Sequence, residues 1–353
     1  MMVFEKMDLD QKGGAVECSL LPQRHGVERC VGWCNDDMSS MAAPLKLVVL
    51  LFVVASAATF GFVQGSDLNL VSINDKANLL ELIRKLNLSV FYDNVVKASL
   101  VAQLQAEGPY TVFAPSNTAF NNAPPWQKEA MKNSSYLVKL LNYHILQDEV
   151  TLDDIANEML KPTLAGIPVR FNVYDEMVTV QCSVIDNQRK DKMASNSVLH
   201  VIKRVMVPNS GTIVDVLSAC PAFTILIQAL QVTSLQDLLR GEGPFTLFAP
   251  TDKAFARLTQ QTRDDLFSNP NILKELLLYH IVNGTYCRAS LPHLTYLDTF
   301  NGDKLTISIS AGGVHVNGAT VVEEGADGSV INGVVQSIDS LLCPFCPKGS
   351  LKN

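Results

Sequence analysis

Residues Gly108 to Phe120 read GPYTVFAPSNTAF, and residues Gly243 to Phe255 read GPFTLFAPTDKAF. The two stretches stand 135 residues apart and share one plan. A Gly-Pro turn leads into a β-branched and aromatic run, then a second proline, a hydroxyl residue and an Ala-Phe pair. The run Tyr110–Ala114 has the composition of a buried strand, and Pro115, which carries no amide hydrogen, stops it. Ser116 and Thr251 then stand where a helix N-cap belongs. Ala119-Phe120 and Ala254-Phe255 follow within one helical turn, placed to pack.

Two further blocks repeat around this one. LLNYHI at Leu140–Ile145 returns as LLLYHI at Leu276–Ile281, and the block from Asn196 to Pro208 returns from Asn332 to Pro344, each 136 residues on. Three blocks in the same order, at spacings that agree within one residue, mean an internal duplication. The period is that of a whole domain, far beyond a solenoid unit. We therefore read a first domain at 66–208, a second at 209–345 and a tail at 346–353. Pro208–Gly211 has turn chemistry and is short, so the two domains are expected to sit in restricted mutual geometry.

Within each copy the patterns change from helix to strand. Leu79, Leu82, Ile83 and Leu86 form an apolar stripe, and Ser210 or Thr212 caps a helix carrying Ile213, Val216 and Leu217. Val169–Val173 and Leu305–Ser310 alternate as strands, and Gly312-Gly313 turns the second into Val314–Val316. Val198–Val207 and Val330–Ile338 are apolar enough for covered strands. Early helices and late strands predict an α+β fold.

The chain has 353 residues, 47% hydrophobic and 18% charged, with a formal net charge of −7. That is ample material for packed cores, and the absence of any basic run argues against nucleic acid or an anionic membrane surface as a partner. From Met41 a short start with Lys46 precedes the uncharged run Leu47–Val63, and small residues follow to Gly65. Residues 41–65 read as a secretory signal peptide, with an uncleaved signal anchor at 47–63 as the alternative. Residues 1–46 hold five Lys or Arg against seven Asp or Glu, which is not the positive flank an anchor needs. Residues 1–40 stay unassigned, with Met41 read as the start of translation. The polar end Lys348–Asn353 argues against a lipid-anchor signal.

Five cysteines follow the signal segment: Cys182, Cys220, Cys287, Cys343 and Cys346. In an oxidising compartment they supply up to two disulfides and one leftover thiol or intermolecular bond. Cys343 and Cys346 have C-x-x-C spacing without a second pair, so a structural disulfide role outranks redox or zinc chemistry. Spacing does not define the pairing; Cys220 with Cys287 is our first expectation.

The blocks Gly-Pro-[Tyr/Phe]-Thr-[Val/Leu]-Phe-Ala-Pro-[Ser/Thr]-[Asn/Asp]-x-Ala-Phe, Tyr-His and the closing run to proline resemble the fasciclin domain, twice, over about residues 70–345. The resemblance implies two tandem domains, each a β-sandwich wedge flanked by helices. It also implies a secreted extracellular adhesion or matrix protein that engages integrin-like cell-surface receptors, matrix proteins or other copies of itself. The second copy departs from the pattern where Gln336-Ser337 replaces His200-Val201.

Tyr143, His144, Tyr279 and His280 are the candidate partner-contact residues on this resemblance. Their leucine-rich helical context also fits a core role with the imidazole satisfied by backbone, and favours it. His200 reads as a local hydrogen-bonding residue, while His293 and His315 carry no signal. Asn87, Asn133 and Asn283 begin N-glycosylation sequons, with Asn283 in the best turn context. No nucleophile elbow, HExxH, Walker loop or dinucleotide turn is present, and neither Asp153-Asp154 nor Glu323-Glu324 is an acid/base pair. The chain is read as a non-enzyme without a cofactor. A secreted carrier of a small apolar ligand is the alternative function, and a thiol exchanger using Cys343 and Cys346 a distant third.

Overall fold

The computed structural model describes residues 77–343 apart from Glu107 and Glu176. The signal segment at 41–65, the alternative anchor at 47–63, residues 1–40, residues 66–76, Cys346 and the tail to 353 lie outside the described residues.

The duplicated motif is the centre of each domain. In the first, the strand Tyr110–Pro115 pairs in parallel with the closing strand Ser197–Ile202, so Phe113 lies opposite His200. Ile145–Leu146 and Lys192–Met193 complete this four-stranded sheet. The second copy repeats it: Phe245–Pro250 is parallel to Gly333–Ile338, with Phe248 opposite Gln336. All six residues of each motif strand are buried, because both faces of the sheet are covered.

Alternation along the strand assigns its side chains to two cores. Tyr110, Val112 and Ala114 face a helical layer with Ile83, Phe91 and Leu137. Phe113 faces a second antiparallel sheet, built on Pro168–Tyr174, and packs with Val169, Phe171 and Val180. In the second domain Phe245, Leu247 and Ala249 point to the helices and Phe248 to the sheet containing Lys304–Ser310. Burying one such phenylalanine contributes roughly 1.5–3 kcal/mol. The result is the expected α+β wedge, a helical layer and a second sheet on opposite sides of a central one.

Local chemistry fixes the edges. Ser116 Oγ accepts from Ala119 N at 3.1 Å and Thr251 Oγ1 from Ala254 N at 3.3 Å, so both predicted N-caps form. Thr212, not Ser210, caps its helix, with Asp215 returning the bond in a capping box. The glycine opening each motif is required by close approach: a Cβ at Gly108 would lie 2.0 Å from the Asn196 carbonyl oxygen, and one at Gly243 2.2 Å from that of Asn332. The closing strand of the first domain ends at Ile202, short of the expected Val207. Beyond it, the Met206 amide bonds to a buried histidine instead of to a neighbouring strand.

Candidate functional site

The Tyr-His pairs lie in the core. His144 and His280 are both 0% exposed. Each ring ends a leucine-rich helix (Ser134–Tyr143 and Pro270–Leu278) and reaches back to it: Nδ1 lies 2.7 Å from the carbonyl oxygen of Leu140, or of Leu276. Nε2 accepts the amide of Met206, or of Leu342, at 3.0 Å. The geometry makes Nδ1 the protonated nitrogen and Nε2 the acceptor, the neutral tautomer. Burial accordingly pushes both histidines down to a pKa of about 4. Tyr143 and Tyr279 are buried beside them and donate to the carbonyl oxygens of Pro168 and Lys304. The imidazoles staple helix to closing segment, the phenols tie the same helix end to the second sheet, and the imidazoles offer a partner no accessible atom.

The substitution of His200 by Gln336 preserves the wiring. His200 Nε2 lies 2.8 Å from the Val150 carbonyl oxygen, and its Nδ1 accepts from Asp191 N. At the equivalent places Gln336 donates to the Tyr286 carbonyl oxygen at 3.0 Å and accepts from Asp327 N at 3.0 Å. A primary amide has a donor and an acceptor, so it does what the neutral imidazole does.

The two copies touch along a seam. Cys182 of the first domain is disulfide-bonded to Cys287 of the second, S–S 2.01 Å. Glu158 accepts from Thr285 N at 2.6 Å and Thr285 Oγ1 at 3.0 Å, and from Arg170 Nη1 at 3.1 Å. Arg170, buried, also donates to the Ile331 carbonyl oxygen at 3.0 Å. Tyr174 donates to the Thr285 carbonyl oxygen at 2.6 Å and accepts from Cys287 N at 3.2 Å; burial raises its hydroxyl pKa. Arg204 pairs with Asp327, which also accepts from Arg288 N and Gln336. The expected Cys220–Cys287 bond is therefore corrected: Cys287 lies at the seam, facing the first domain, and Cys220 sits in the helical core of the second. Cys220 and Cys343 each take part in a disulfide as well. Asp327 approaches Cys182 and Cys287 closely enough to share an ion, but sulfurs bonded to each other hold no thiolate for a metal.

The fasciclin domain family matches residues 86–208 and again residues 221–344. The chain belongs to the fasciclin domain family. It is similar to transforming growth factor-beta-induced protein ig-h3 of Sus scrofa, 31% identical over 287 residues, covering 81% of this chain and 40% of that one. It is also similar to periostin of Homo sapiens, 28% identical over 263 residues, covering 72% of this chain and 30% of that one. The chain thus spans less than half the length of these relatives. A solved FAS1 domain pair from the insect cell adhesion molecule fasciclin I aligns at 21% identity and TM-score 0.35, over 72% of this chain and 96% of that one.

On this fasciclin pair all three sequon asparagines are exposed. Asn87 takes the left-handed conformation just past its helix, φ 60°. Asn133 caps a helix through Oδ1, which accepts from Tyr136 N and leaves its amide nitrogen free of that bond. Asn283 ends a strand two residues before Thr285, whose hydroxyl is held by Glu158.

The seam residues Glu158, Arg170, Tyr174 and Arg204 escaped the sequence reading. A signal was available in the comparison of the copies. At the equivalent places of the second fasciclin domain stand Leu294, Thr306, Ser310 and Ser340, and opposite Cys182 stands Gly318. The turn makes the same point. Asn317-Gly318 both have positive φ, the favoured hairpin dipeptide, whereas Gln181-Cys182 adopt 47° and 57° with residues that resist it. The first copy gives up good turn chemistry for a cross-link.

Proposed function

We propose that this fasciclin pair is a secreted extracellular adhesion or matrix protein that binds cell-surface or matrix partners as one rigid two-domain unit, without a chemical step. The observation that carries this reading is the seam. A disulfide, the bonds of Glu158 to Thr285 and of buried Arg170 to the Ile331 carbonyl, and the Tyr174 bonds hold the domains in one geometry, so a partner spanning both meets a preorganised surface. Preorganisation spares the ordering cost that a flexible tandem incurs on binding. Family membership supports an adhesive role by analogy, since fold alone does not assign function. With the Tyr-His side chains buried, the contact surface is assigned to the exposed exteriors of the two domains and not to those imidazoles.

The test is attachment of host cells to the immobilised full chain, with and without chelation of divalent cations. Attachment lost on chelation is the expected result and points to integrin-like receptors. No attachment in either condition contradicts cell adhesion and leaves matrix proteins or further copies of the chain as the partners to measure.

A further inference from the structure

Beside the seam runs a partly open cleft with walls from both domains. We propose that this cleft binds a small carboxylate carried on an apolar body. From the first domain Trp126 and Gln127, on the helix Pro125–Ala130, line it together with Lys203 and Arg204; Asp327 closes it from the second. Gln127 is 3% exposed, and its Nε2 has no hydrogen-bond partner. The Trp126 Nε1 is likewise buried without one. Among the described residues, other buried side-chain nitrogens lack partners too, but these two belong to residues that line the cleft.

Both groups can only donate, so what satisfies them must be an acceptor. The charge points the same way. Asp327 already accepts from Arg288 N, Gln336 Nε2 and Arg204, so three of its roughly four acceptor sites are taken. Lys203 adds a second cation at the exposed rim, leaving one positive charge in excess over Asp327. Unpaired donors and one net positive charge select a monoanionic acceptor. Met206 and Ala123, both buried and lining the same cleft, favour an apolar body behind it. Counted from the helix N-caps Pro124 and Thr259, the equivalent positions of the second domain hold Gln261 and Thr262. The indole and amide pair is therefore peculiar to the first copy and to the cleft beside the seam.

The experiment uses the full chain carrying Trp33→Phe, which leaves Trp126 as its single tryptophan. Its fluorescence is followed during titration with 3-phenylpropionate, with the uncharged 3-phenylpropionamide and with inorganic phosphate. A saturable change with the acid, none with the amide, and about tenfold lower affinity in the exposed-site variant Lys203→Gln is the expected result. No saturable change with the acid, an equal response to the amide, or unchanged affinity in Lys203→Gln overturns the proposal. A stronger response to phosphate than to the acid overturns the assignment to a carboxylate. Binding here is read independently of cell attachment, so either proposal can fail without the other.

Discussion

Cys182 and Cys287 join non-equivalent faces of two copies of one fold. The counterpart of Cys182 in the second domain is Gly318, and the counterpart of Cys287 in the first is Thr151. The contact is head-to-tail, the kind that continues indefinitely when each copy carries both faces. Here the second domain has lost the donor face: Leu294, Thr306, Ser310 and Gly318 replace Glu158, Arg170, Tyr174 and Cys182. The second domain therefore lacks the residues with which the first makes this seam, and does not present the same donor face to a further copy.

Removing the clamp should uncouple the domains without unfolding either. Cys182→Gly with Cys287→Ser is the informative variant, because glycine is the residue the second copy uses at this turn. Calorimetry should show the coupled unfolding of the parent separating into two transitions, with a stability loss of about 2–4 kcal/mol. An unchanged single transition would mean that the remaining seam suffices alone.

Arg170→Met should be more damaging than its conservative volume suggests. It leaves Glu158 partly buried without its cation and the Ile331 carbonyl without a donor. Losing one member of such a pair costs on the order of 3–5 kcal/mol. Denaturant titration checks this, and replacing Glu158 with Gln in the same chain should recover part of the loss.

Stability should fall as pH drops from 6.5 toward 4. In the folded chain His144 and His280 hold a pKa of about 4 because burial disfavours the charged ring, against an ordinary 6.5. Between those values the unfolded chain binds more protons, so stability is fully present above 6.5 and is lost as pH falls to the folded value. Each histidine contributes on the order of 3 kcal/mol to that loss. Urea midpoints across this window measure it; burial also holds His200 below its ordinary value and adds to the slope, so His144→Gln should flatten it by less than half. A midpoint independent of pH would contradict the neutral buried staples.

Gly243→Ala should cost above about 3 kcal/mol, since the new methyl carbon meets the Asn332 carbonyl oxygen at 2.2 Å and φ is +70° there. Gly302→Ala shares a left-handed φ but has open space around it and should cost far less. Comparing the two by thermal melting separates close approach from backbone conformation.

Much of the fold was legible because its determinants are local and stated twice. The caps Ser116, Thr251 and Thr212 and the motif strands follow from residue chemistry within a few positions, and the duplication exposed the domains. The Tyr-His pairs were legible only as buried or exposed alternatives, because a histidine on an apolar helix face reads the same until the Met206 and Leu342 amides that it accepts are placed. The seam was not read because it depends on how two folded bodies dock. Cys287 has no sequence neighbour that announces Cys182, 105 residues earlier.

The most direct test of the rigid pair is peptide mapping of the unreduced chain by mass spectrometry. A peptide containing Cys182 linked to one containing Cys287 is the predicted result. Cys287 linked to Cys220, or found as a free thiol beside a free Cys182, would contradict the clamp and with it the single two-domain surface.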